Sequence, residues 1–137
     1  MQRRRKVFKD LISKLAIVTG LLLSPVALAD DHPHDKGPHG GDVKGFGKYH
    51  IEGVRQGDKA TFYVLGDDGK TAASVAKSEG GSVTVIVPGK AQQKTDIAAG
   101  ANFSDTTAAL PPDGKSTVLI IIKEGGKTYS AKFNFSK

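Results

Sequence analysis

STVLIIIKEGGKTYSAKFNF, from Ser116 to Phe135, carries the pattern on which the fold is decided. The apolar run Val118 to Ile122 is too short for a helix and rich in β-branched side chains, so it reads as a central strand buried on both faces. Glu124-Gly125-Gly126-Lys127 then supplies residues that tolerate the positive φ of a tight turn. Beyond the turn, Tyr129, Ala131, Phe133 and Phe135 alternate with polar residues, as in a strand with one wet face. Two strands joined this closely must run antiparallel.

The same punctuation recurs outward from this pair. EGG at Glu79, VPGK at Val87 and PPDGK at Pro111 separate SVTVIV, KTDIA and STVLIII, all short and rich in Val, Ile and Thr. Upstream, KYHIEGV (Lys48 to Val54) sets Tyr49, Ile51 and Gly53 on one side and His50, Glu52 and Val54 on the other, and ATFYVL follows from Ala60. GDDGK at Gly66 is a hairpin signal, since Asp-Gly tolerates the positive φ of a tight turn. TAASVAK at Thr71 is ambiguous, since its alanines allow a helical turn between neighbours that are turns and strands. The reading is all-β: an antiparallel, immunoglobulin-like sandwich of about seven strands between Tyr49 and Phe135.

The first residues stand apart from this pattern. MQRRRKVFKDLISKLAIVTGLLLSPVALA has a basic opening, an apolar stretch from Leu15 to Leu23, a break at Ser24-Pro25 and small residues at Ala27 and Ala29. That is the build of a secretory signal peptide over 1–29, cleaved after Ala29, and the apolar stretch is shorter than the roughly 20 residues that span a bilayer. The expected location is periplasmic or secreted, with no stable membrane insertion after cleavage. Six of the 20 basic residues and one of the 14 acids precede Asp30, so the net charge of +6 belongs mostly to the leader. The remaining Lys and Asp are interspersed, which argues against nucleic-acid binding. There is no cysteine and the single Met is the first residue, so thiolate and thioether metal sites are excluded.

DDHPHDKGPHGGD, from Asp30 to Asp42, crowds three of the four histidines into a run without a large apolar residue. The segment 30–42 is expected to be mobile or loosely docked, with the sandwich domain occupying 43–137. Cleavage after Ala29 would expose an α-amine followed by Asp30, Asp31 and His32. A histidine in third place lets the amine, two backbone amides and the imidazole form a square-planar nitrogen set that suits copper(II) or nickel(II). His34 and His39 enrich the neighbourhood, although the same residues also read as a solvated polar tail. A tail that orders on binding would hold a divalent ion with modest affinity unless the amine also ligates.

A second constellation lies at the start of the domain. PHGGDVKGFGKYHIEGV, Pro38 to Val54, resembles the His-Gly-Gly segment and Tyr-His-x-Glu strand of small periplasmic proteins related to N-terminal portions of heavy-metal efflux adaptor subunits, through His39, Gly40, Gly41, Tyr49, His50 and Glu52. YVLGDDGK, Tyr63 to Lys70, is similar to that family's second strand and turn. Gly53 departs from the Leu or Val often found there, which leaves that strand face less well filled. The resemblance implies a β-sandwich of the cell envelope near metal-resistance functions, with an efflux or other periplasmic protein as partner.

His50 and Glu52, two apart on one strand, project from the same face, and Gly40 and Gly41 let the chain turn His39 back over it. Two imidazoles and a carboxylate suit zinc or copper(II). The same residues also allow a structural reading, with His50 bonded to a neighbouring loop, Glu52 paired with Lys48 or Arg55, and His39 in a turn. Asp67-Asp68-Gly69 lacks the spacing of a calcium loop and reads as turn chemistry. No nucleophile elbow or phosphate-cradling loop is present, so the expectation is a non-enzymatic protein without an organic cofactor, handling divalent copper, zinc or nickel. The competing expectation is a structural or protein-interaction module of the envelope.

Overall fold

The computed structural model describes residues 36–137; the expected leader 1–29, together with Asp30, Asp31, His32 and His34, lies outside them. Eight strands follow: β1 (Asp42–Phe46), β2 (Tyr49–Gln56), β3 (Lys59–Leu65), β4 (Gly81–Ile86), β5 (Gln93–Ile97), β6 (Asp105–Ala109), β7 (Ser116–Glu124) and β8 (Lys127–Phe135). They form two antiparallel four-stranded sheets, β1-β2-β3-β6 and β5-β4-β7-β8. Seven strands lie between Tyr49 and Phe135, the number expected over that span, and β1 precedes them. Among the described residues no helix is long and apolar enough to cross a membrane.

The tight β7-β8 pairing follows from the glycines between them. Gly125 and Gly126 have φ of 58° and 71°, which closes a two-residue hairpin with Glu124 opposite Lys127. From there the register brings Val118 opposite Phe133 and Ile120 opposite Ala131. These side chains meet Phe46, Ile51, Phe62 and Val64 of the other sheet in one core. Phe62 packs on Phe133 with centroids 5.1 Å apart, and Tyr129 lies edge-on to both Phe46 and Tyr49. Aromatic contacts thus stitch the two layers together without a disulfide.

Two expectations need correction. β7 is central, between β4 and β8, but only Val118, Ile120 and Ile122 are fully buried, while Leu119 and Ile121 on its other face are partly exposed. Among the described residues no further layer covers that face, so the continuous apolar run does not imply burial on both sides. Gly53 does not leave its strand face poorly filled either. A Cβ built there would stand 2.7 Å from the Phe133 ring and 3.1 Å from Phe62, so the aromatic rings already occupy the space a larger residue would need.

TAASVAK forms no helix. It makes two isolated antiparallel bridges, Leu65 with Ala72 and Val75 with Phe103, as the chain crosses from β3 toward the second sheet. Where the layers meet at one end, Glu124 accepts a hydrogen bond from the Tyr49 hydroxyl at 3.1 Å and pairs with Lys48 at 3.1 Å. Burial pushes the Glu124 carboxyl up, but its bonds to Lys48, Tyr49 and Tyr129 outweigh this and hold it below the usual range.

Candidate functional site

Opposed residues of neighbouring strands share a face, so Val43, Glu52, Tyr63 and Asp105 form one row on the outer face of the first sheet. A carboxylate on an outer face is ordinarily solvated, yet Glu52 is 0% exposed. What covers it is the chain just before β1. Gly37-Pro38-His39-Gly40 turns sharply, the Gly40 N–H donating to the Gly37 carbonyl at 2.9 Å and the Gly37 N–H to the Gly41 carbonyl at 2.9 Å. Gly40 takes a φ of 81°, open to glycine at no steric cost. Gly37 is required by contact: a Cβ there would lie 2.4 Å from the Glu52 carboxyl carbon.

This turn aims three donors at one carboxylate. The His39 and Gly41 N–H groups donate to Glu52 Oε1 at 2.9 and 2.8 Å, and His39 Nδ1 lies 2.8 Å from Oε2. Burying a carboxylate costs several kcal/mol, and convergent charge-assisted hydrogen bonds are the arrangement that offsets it. With Oε1 accepting two N–H groups and Oε2 facing the ring, Nδ1–H is the donor and Nε2 carries the imidazole lone pair. The ring is stacked on Tyr63, with centroids 3.8 Å apart and planes inclined by 12°. The His39 side chain keeps 44% of its exposure, so the imidazole is fixed in orientation while still reachable from solvent.

His50 stands on the same face, but its ring turns to the loop after β3. Nδ1 lies 3.0 Å from the Gly66 carbonyl, which can only accept, so Nδ1–H donates. That loop is locked by Asp68, whose carboxylate accepts from the Lys70 N–H and from both the N–H and hydroxyl of Thr71. The Thr71 hydroxyl foremost, with those two N–H groups, lowers the Asp68 pKa to about 2. The expected turn chemistry of Asp67-Asp68-Gly69 is therefore present, with Gly69 at a φ of 65°.

Of the candidate ligands, the structure brings His39 and Glu52 together and directs His50 to a backbone carbonyl. Glu52 lies on the outer face but beneath the docked turn, with both oxygens engaged rather than facing an open coordination position. Its expected pairing with Lys48 or Arg55 does not occur: Lys48 pairs with Glu124, and Arg55 donates to the carbonyls of Gly57 and Pro111. Of the segment expected to be mobile or loosely docked, residues 36–41 form the docked turn and Asp42 already belongs to β1. Among the described residues no group of three His, Asp or Glu side chains stands close enough to hold a metal ion. Tyr63 and Gly37 escaped the sequence reading; only the strand register places the first under His39, and only the buried carboxylate explains the second. No family model matches the chain, and searches of curated proteins and of solved structures returned no match.

Proposed function

We propose that this chain is an exported metal-handling accessory protein, periplasmic or secreted, that takes divalent copper, zinc or nickel through nitrogen donors at its processed N-terminus and His39. One observation carries the reading: His39 is held by Nδ1 on a buried carboxylate with its ring still accessible. Ligating histidines characteristically donate their second ring nitrogen in this way, which fixes the tautomer and raises the basicity of the ligating atom. Glu52 accordingly acts as a positioning residue and not as a ligand. His50, donating to Gly66 through Nδ1, has the same kind of support. A single imidazole does not retain an ion, so His32, His34 and the α-amine released beside Asp30 and Asp31 would complete the donor set.

The connectivity supports an immunoglobulin-like class for the carrier. β3 and β6 are neighbours in one sheet, each is followed by a strand of the other sheet, and those strands, β4 and β7, are neighbours as well. The resemblance of His39-Gly40-Gly41 and Tyr49-His50-x-Glu52 to envelope proteins near heavy-metal efflux systems points the same way. A second reading, a protein-interaction module, draws on the partly exposed Leu119, Ile121 and Ile86 on the outer face of the second sheet.

Mass spectrometry of the exported protein would fix its first residue, and copper(II) titration followed by visible absorption would report the donor set. The expected result is a first residue of Asp30 and a band of square-planar nitrogen coordination that is lost in His32→Ala. Absence of copper, zinc and nickel uptake would overturn the metal reading and leave the interaction module.

A further inference from the structure

Four strands form the sheet edges among the described residues: β1 and β6 in the first sheet, β5 and β8 in the second. An edge offers unpaired N–H and C=O groups to any extended chain, and lysine on the strand is a common guard against such pairing. β1 carries Lys44, β5 carries Lys94, and β8 carries Lys127 and Lys132. β6, Asp-Thr-Thr-Ala-Ala, has neither lysine nor proline.

The hydrogen-bond phase of β6 tells which groups are open. The Val64 N–H donates to the Ser104 carbonyl at 2.8 Å, and the Leu110 N–H to the Asp58 carbonyl at 2.7 Å. In an antiparallel ladder bonded pairs alternate, so Thr106 and Ala108 also turn their main chain toward β3. Asp105, Thr107 and Ala109 direct theirs outward, and all three residues are exposed.

We propose that this edge pairs with the same edge of a second copy of the chain, antiparallel about Thr107. A two-fold axis there sets Thr107 opposite Thr107 and Asp105 opposite Ala109, so every outward-facing residue meets another in the bonded phase. Charge agrees with that register. Ala109 lies opposite Lys59 on β3, and its methyl leaves the outer face open. Asp105 of the second copy would stand about 10 Å from the Lys59 backbone, two strand spacings away, which a lysine and an aspartate side chain span together. The two-fold repeats this opposite-charge contact at both ends.

A contact of five residues per copy is small, so dimerisation should be reversible and concentration-dependent. Sedimentation of the purified exported protein, with chelator present so that no metal bridge contributes, should show the mass rising from one chain toward two between roughly 10 µM and 1 mM. Thr107→Lys places two like charges face to face and should keep the protein monomeric with unchanged far-ultraviolet circular dichroism. Asp105→Lys should weaken the dimer, and adding Lys59→Asp to it should restore association. A monomer throughout the range, or a dimer indifferent to Thr107→Lys and to the charge swap, overturns the proposal.

Discussion

Glu52 and Gly53 are neighbours on β2 with opposite surroundings, and each is set by a contact invisible to local alternation. Glu52 faces outward and is buried because Gly37, His39 and Gly41 fold over it. Gly53 faces inward and is small because Phe133 and Phe62 reach across the core to its backbone. Gly53→Val therefore inserts methyl groups where a ring already stands. Overpacking of this kind costs about 1–3 kcal/mol, despite the better strand propensity of valine. Urea unfolding should show a lower midpoint with an unchanged slope; a midpoint at or above that of the parent protein would mean the rings yield freely.

At the scale of elements, strands rich in branched or aromatic side chains were legible, as was β5 through Lys94-Thr95-Asp96-Ile97 although none of its residues is buried, while β1 and β6 were not. β2, β3, β4, β7 and β8 each place branched or aromatic side chains on a common inner face, which period-two alternation detects. β1 sends Val43 outward and Phe46 inward with Gly45 between, and β6 buries only Ala108, so neither offers an alternation to read. The loop after β3 was readable because its chemistry is local. Asp68 there has a pKa of about 2 against an ordinary 3.8, so its contribution to stability is complete above the ordinary value and is lost as pH falls through about 2. Asp68→Asn removes that dependence. Between pH 4 and pH 2 the parent should lose more of its stability advantage than the variant has to lose, as followed by denaturant midpoints; parallel acid limbs for the two proteins would contradict the assignment.

Over the whole molecule, a cysteine-free sandwich relies on aromatic packing between its layers, and one outer face carries the docked turn that buries Glu52. Gly40 and Gly41 allowed His39 to turn back over the strand bearing His50 and Glu52, one of two readings the residues left open. The sequence did not foresee that both Glu52 oxygens would be engaged, because that is fixed by the docked turn and not by local alternation. The first sheet, the turn and His39 thereby act as one unit that presents Nε2. Glu52→Gln tests that unit with little disturbance of the fold: the amide oxygen still accepts from His39 and Gly41, but the amide nitrogen donates to Nδ1 and moves the ring proton to Nε2. On the proposed metal reading, calorimetric titration of copper(II) into the parent and Glu52→Gln proteins should show affinity falling by about 10–100-fold, the loss typical where a ligating histidine is deprived of its supporting carboxylate. Equal affinities in two equally folded proteins would contradict the account.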